Sequence, residues 1–137
     1  MLQLKPRADV RFGFRITSTV CFYQDSSHEP DLLWIRDQLQ TGYVSRRNDG
    51  MSELRVDGHQ PVAVTLRLLK PYIRFKRDQV RWILEALGKL EAAQTPLEFL
   101  AVCELADRIA GANYASRRKY TAQVVRKEFE SKGWLPP

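Results

Sequence analysis

The sequence predicts an α+β fold: a four-stranded curved antiparallel sheet made of two hairpins, backed by helices and followed by a helical C-terminal extension. Three observations predict it. A long two-periodic run occupies Val10 to Gln24, two shorter alternating runs flank Asn48-Asp49-Gly50, and segments with apolar residues at helical spacing follow each pair. With 137 residues, 44% of them apolar, the chain can bury one continuous core. Residues 1–137 are therefore expected to form one domain, with the sheet and its packing helices over 1–90 and the extension over 91–137.

MLQLK, joined through Pro6 to Asp9, reads as a short strand that opens the first hairpin. The partner strand runs from Val10. Val10, Phe12, Phe14, Ile16, Val20 and Phe22 point one way with Ser18 as the one polar intruder, and Arg11, Gly13, Arg15, Thr17, Thr19, Cys21 and Tyr23 point the other. Hydroxyl and guanidinium groups on that second face suit phosphates and base edges better than a Glu/Lys mixture would. A helix is expected from Glu29 to Gln40, opened by Pro30, with Leu32, Ile35 and Leu39 inward and Gly42 as its stop. Tyr43 to Arg47 and Met51 to Asp57 form the second hairpin around residues that tolerate positive φ. Ser52, Leu54 and Val56 should face the core, leaving Glu53 and Arg55 on the polar side beside Arg47.

A second helix is expected over Pro61 to Lys70, with Val62, Leu66 and Leu69 inward and Pro71 as its stop. A third spans Arg77 to Leu90, with Val80, Ile83, Leu84 and Leu87 inward. Thr95, Pro96 and Glu98 form a capping box at the start of a fourth helix that Gly111 closes. The last helix is expected from Ser116 to Lys132, ending at Gly133.

The charge balance of 22 Lys plus Arg against 16 Asp plus Glu leaves +6, which favours an extended anion such as nucleic acid only if the cations share a face. Cys21 and Cys103 are far apart, with no CxxC pair and no nearby His, so they suit a reducing, intracellular compartment rather than zinc. No apolar run reaches eighteen residues and MLQLKP is no signal sequence, so neither membrane insertion nor secretion is expected.

Three segments, in order and at consistent spacing, give the chain a specific likeness. GYVSRRNDGMSEL (Gly42 to Leu54), LKPYIRFKRDQ (Leu69 to Gln79) and TPLEFLAVCELADRIAGAN (Thr95 to Asn113) resemble the hairpin, lysine segment and C-terminal extension of LAGLIDADG homing endonucleases. The likeness is to the homodimeric, intron-encoded branch and covers nearly the whole chain. It implies the predicted fold, a double-stranded DNA partner, Mg2+ as cofactor, and a homodimer or a partner chain that supplies a missing helix. In that family a leading helix bears the motif that names it, forms the dimer contact and carries an acid that helps hold the catalytic metals. Met1 to Pro6 instead match the first strand, so this chain alone is expected to lack the acid, and Met1 as an internal codon of a longer reading frame is one reading left open.

The resemblance carries Gln24 onto the polar residue that positions solvent near the scissile phosphate, and Lys76 onto a basic residue of the same outer shell. By residue type alone, Gln24 reads as a strand cap and Lys76 as one member of a solvated series with Lys70, Arg74, Arg77 and Arg81. Gln3, Arg15, Thr17, Cys21, Ser45, Arg47, Glu53 and Arg55 match sheet positions facing the major groove, and Lys5 joins them as a strand cation. Arg117, Arg118 and Lys119 open the predicted last helix, a poor place for cations by the helix dipole, so phosphate contact by Arg117 and Lys119 is expected beside the plainer reading of exposure. His28 stands where the branch tends to have an arginine.

Two-metal hydrolysis needs converging carboxylates. Asp9, Asp25 and Glu53 sit at hairpin ends or sheet positions, where turn formation or arginine pairing explains them better, so no residue is assigned as a metal ligand. Asp25-Ser26-Ser27-His28 superficially suggests nucleophilic catalysis, but capping of a helix start explains it better. Absence of the leading helix should expose apolar surface around Phe12, Phe14 and Phe22, at about 25 cal/mol per Å². Three alternatives stay open: an endonuclease that starts upstream, a non-cleaving DNA-binding or maturase module, and one half of a split endonuclease. An RNA-binding sheet is disfavoured because the phenylalanines lie on its dry face with Ile16 and Val20, where bases cannot stack on them.

Overall fold

The computed structural model describes residues 1–74, 76–111 and 118–136. Its strands are β1 (Leu2–Pro6), β2 (Phe14–Asp25), β3 (Tyr43–Arg46) and β4 (Met51–Asp57), and its helices α1 (Glu29–Leu39), α2 (His59–Leu69), α3 (Arg77–Ala92), α4 (Pro96–Gly111) and α5 (Ala122–Ser131). The strands form one sheet in the order β1-β2-β4-β3, two hairpins joined through β2 and β4. By contact density the chain divides into two compact units. One comprises Met1 and Ser18–Leu69, the other Leu2–Thr17 and Lys70–Pro137.

In the unit built on Ser18–Leu69, β2 and β3 both pair antiparallel with β4. Cys21 lies opposite Arg55, Phe22 opposite Leu54, Tyr23 opposite Glu53, and on the other side of β4 Tyr43 lies opposite Arg55 and Ser45 opposite Glu53. Directly opposed residues share a face, so this register sorts the sheet into a dry and a wet side. Leu54, Val56 and Ser52 are fully buried on the dry side, where α1 contributes Leu32 and α2 contributes Val62 and Leu66. Ser18, the polar intruder in an apolar row, is 2% exposed and lies 2.8 Å from His59 Nδ1 at the start of α2. Val20 and Phe22 remain half-buried on this side.

In the other unit, Leu2 and Leu4 of β1 and Phe14 and Ile16 of β2 are buried, β1 packs on α4, and α4 packs on both α3 and α5. Phe129 and Val125 of α5 and Val102 and Cys103 of α4 reach zero exposure. The capping box at α4 forms, one residue displaced: Thr95 Oγ1 accepts from the Glu98 N–H at 3.2 Å, while Glu98 reaches back to the Gln94 N–H at 3.1 Å.

Several expectations are corrected. The long strand starts at Phe14, not Val10, because Arg7 to Gly13 fold into a turn closed by the Arg7 N–H on the Gly13 carbonyl, with Gly13 at φ +76°. Phe12 therefore leaves the sheet, and its ring stacks on Phe99 at 5.0 Å; Phe14 is 7% exposed. Of the three aromatics expected to be uncovered, Phe22 is half-buried in open contact with solvent, whereas the other two have partners from the helices or a place in the core. Thr19 is not wet but 5% exposed, drawn in by a 2.8 Å hydrogen bond to Asp57. On α1 only Leu32 is buried, Ile35 and Leu39 being half-buried, and the helix is ended by Gln40 in the left-handed region (φ 55°) rather than by Gly42. The second helix begins two residues earlier than expected, at His59, and gives way to a 3-10 turn at Lys70–Tyr72. The last helix starts at Ala122, where Asp107 Oδ2 accepts the first N–H at 2.9 Å; Ser116 and Arg117 lie outside the described residues.

Candidate nucleic-acid interface

The wet side of the Ser18–Leu69 unit is a set of cross-strand rows. Cys21, Arg55 and Tyr43 make one row across β2, β4 and β3, and Tyr23, Glu53 and Ser45 the next. Arg47, just beyond β3, puts its guanidinium 5.7 Å from the centre of the Tyr23 ring and 3.2 Å from Asp49. The structure thus brings together Cys21, Ser45, Arg47, Glu53 and Arg55, all expected from sequence. Arg55 and Glu53 occupy the middle strand of these rows, flanked by neutral groups. The neighbouring Cys21 thiol, first, and burial, second, push the Tyr23 hydroxyl above its ordinary pKa.

Asp57 closes this face at the end of β4. It accepts from Thr19 Oγ1 at 2.8 Å, from Tyr43 Oη at 3.3 Å, and from Arg55 Nε at 3.0 and 3.2 Å. Burial raises its pKa, but the bonds from Thr19 and Arg55 outweigh this and hold the carboxyl below its usual range. Sequence reasoning missed Asp57 and Tyr43 as parts of this face. The signal was present: strict alternation gives Asp57 the parity of Glu53 and Arg55, and Tyr43 that of Ser45.

Gln24 is exposed near the end of β2, where the register places it opposite Ser52 and on the dry-side parity with Arg46, not with Cys21 and Tyr23. Arg46 is held by Glu29 at 2.8 Å, and Ser52 donates to the same carboxylate at 2.9 Å, which lowers the Glu29 pKa. Asp25 accepts from the Ser27 N–H and hydroxyl, the capping role expected of the Asp25 to His28 cluster.

The other unit carries its own polar groups. Gln3 and Lys5 are exposed while Leu2 and Leu4 are buried, and on β2 Arg15 is exposed and Thr17 half-buried. Gln3, Lys5 and Lys119 line a surface depression of about 590 Å³ together with Arg118. Lys119 does not open a helix; it lies in the segment before α5, and Arg118 beside it is tied to Asp107 and to the Ala106 carbonyl. Arg117 lies outside the described residues. Lys76 is exposed immediately before α3 at φ 58°, one of two non-glycine residues with positive φ among those described. Such a conformation costs of order 1 kcal/mol or more and tends to collect at functional sites.

Among the described residues no group of three or more His, Cys, Asp or Glu side chains is placed to hold a metal ion. No helix among them is long and apolar enough to cross a membrane.

No family model matches the sequence. The chain is 30% identical over 131 residues to the DNA endonuclease I-CvuI of Chlorella vulgaris, an alignment that spans 96% of this chain and 81% of that protein. It is 28% identical over 130 residues to the DNA endonuclease I-CreI of Chlamydomonas reinhardtii, spanning 94% and 79% respectively. The fold is similar to that of I-CvuI crystallised with the I-CreI target in 2 mM Mg, with the DNA not cleaved. The TM-score is 0.88 at 29% identity, over 98% of this chain and 86% of that one.

Proposed function

Because this chain belongs to the LAGLIDADG homing endonuclease family, we propose that it binds double-stranded DNA sequence-specifically, laying its wet sheet face in the major groove. The observation that carries this reading is the pair of cross-strand rows, Cys21-Arg55-Tyr43 and Tyr23-Glu53-Ser45, with Arg47 over Tyr23. They put donors and acceptors side by side on a surface that no helix of this unit covers, at the strand spacing a β-reader needs. Arg15 and Thr17 are read as further groove contacts, and Gln3, Lys5 and Lys119 as phosphate or edge contacts that fix register. Arg117 belongs to the same proposal on sequence grounds. Gln24 and Lys76 are read as the residues that order solvent and charge beside the scissile phosphate.

Strand cleavage asks for more than binding. Family chemistry uses divalent metal, which supplies an activated water and a counter-charge for the leaving oxygen, and among the described residues no group of three or more His, Cys, Asp or Glu side chains is placed to hold one. A second copy of this chain, or a partner that supplies a helix, is the reading supported by Val20 and Phe22, which stay half-buried beside the fully buried Val56 and Leu54.

Band shifts with duplex DNA and with single-stranded RNA, over a range of salt, test the reading. Preference for the duplex, with affinity falling log-linearly in salt and lost on Arg47→Ala plus Arg55→Ala, is the expected result. Tighter binding of the RNA, or duplex binding untouched by the two substitutions, would overturn it.

A further inference from the structure

We infer that Asp57 is a positioning residue that aims Arg55 at a guanine, and that Arg55 is a specificity-determining residue. This deepens the DNA-binding reading and rests on it.

Arginine can grip a pair of acceptors through two edges of its guanidinium, the Nε/Nη edge or the Nη/Nη end. In this chain Asp57 takes the Nε proton across both carboxylate oxygens, at 3.0 and 3.2 Å, and neither Nη of Arg55 makes a hydrogen bond among the described residues. The choice of edge is thereby made in advance. The Nη/Nη end is left as a planar two-donor fork, and an edge with two acceptors side by side is its complement. In the major groove that edge is O6 and N7 of guanine.

The carboxylate is itself fixed. Thr19 Oγ1 donates to one oxygen at 2.8 Å and Tyr43 Oη to the other at 3.3 Å, so three strands, β2, β3 and β4, hold it. Preorganisation of this kind reduces the rotamer entropy an arginine would otherwise lose on binding.

A phosphate also presents two oxygens, and two observations disfavour it. Asp57 lies within ion-pair distance of Arg55, so the couple carries almost no net charge and gains little from a polyanion. Arg55 also sits on the middle strand of the Cys21-Arg55-Tyr43 row, whereas phosphates are met at the margins of a groove-reading surface.

The test uses the full chain and a duplex DNA pool randomised through its centre, with sequence preferences read from the bound fraction. Wild type is expected to prefer guanine at one position, or at its symmetry mate, by about tenfold or more. Asp57→Ala should cut that preference to within about threefold while preferences elsewhere persist. Arg55→Lys, which keeps the charge but loses the fork, should do the same, and Asp57→Asn, still able to accept from Nε, should restore part of it. Thermal melts of each variant separate loss of fold from loss of aim, since a merely structural Asp57 would weaken all positions together.

Guanine preference kept by Arg55→Lys, with Arg55→Ala weakening every sequence uniformly and lowering the salt slope by about one, would mean a phosphate contact and overturn the inference. So would a wild-type motif whose guanines ignore both residues. Absence of any duplex binding by wild type would instead overturn the DNA-binding reading, and this inference with it.

Discussion

The guanidinium carbon of Arg47 lies 5.7 Å from the centre of the Tyr23 ring, joining the residue just after β3 to β2 across the intervening β4. At an exposed site a cation over an aromatic face contributes about 0.5–1 kcal/mol. Here it limits where the arginine can point. Tyr23→Leu should therefore weaken duplex binding about two- to fivefold with little change in melting temperature, and Tyr23→Phe should leave binding near wild type. Fluorescence anisotropy with a labelled target measures both; equal losses for Leu and Phe would assign the effect to the hydroxyl instead.

Glu29 is held below the ordinary carboxylate range first by its bond from Arg46, then by that from Ser52. A lowered folded-state pKa contributes stability above the unfolded value, near 4.3, and that contribution is lost as pH falls through the folded value. Glu29→Gln should accordingly be less stable than wild type at pH 7, with the gap closing as the pH falls below about 4. Urea melts across that range check it. A gap that widens in acid would contradict the assignment.

Gly42 sits at φ +93°, and a Cβ there would meet Leu54 Cδ1 at 2.9 Å and the Arg55 carbonyl oxygen at 3.0 Å. Gly50, at φ +79°, has nothing within 4 Å of its would-be Cβ. Alanine at Gly50 should cost only the left-handed backbone term, about 1–2 kcal/mol. Alanine at Gly42 adds a clash with backbone and core and should cost more, and the ranking can be read from chemical denaturation. Equal losses would show that the sheet yields freely at Gly42.

Cys103 has zero exposure, and burial, with Asp107 adding to it, pushes its thiol up to about 12; Cys21 is half-buried on the wet face. Thiolate is the reactive form. At pH 8 a maleimide should modify the native protein once, at Cys21, with Cys103 reacting only on unfolding. Mass spectrometry of the labelled peptides decides it.

Much of this was legible from alternation. The parity of residues 14–24 and 51–57 separates most wet from dry positions, and the Asn48-Asp49-Gly50 turn sets the second hairpin. What failed was local and had tertiary causes. Val10 and Phe12 have strand parity, but the Arg7 N–H bonds the Gly13 carbonyl and the run breaks at Gly13, whose positive φ leaves Phe12 stacked on Phe99. Thr19 has wet parity and is buried because Asp57 offers it an acceptor. The start of α5 was misplaced because Asp107, distant in sequence, is the group that meets its first N–H. Of the site, Cys21, Ser45, Arg47, Glu53 and Arg55 were named in advance, and Tyr43 was not. Asp57 was not, since an acid at a strand end looks like a turn former until its three donors are seen.

Ser18, Thr19 and Ser52 lie within the packed interior of the Ser18–Leu69 unit, each with a partner: His59, Asp57, and Ser26 with Glu29. A one-residue slip of β2 against β4 would turn every side chain over and separate these hydroxyls from their partners. Each stranded hydroxyl would cost about 1–3 kcal/mol. An all-aliphatic interior would have tolerated neighbouring alignments more evenly. These small polar groups act as index pins, giving β2 and β4 one strongly preferred alignment, and the column of side chains opposite the core inherits its order from them.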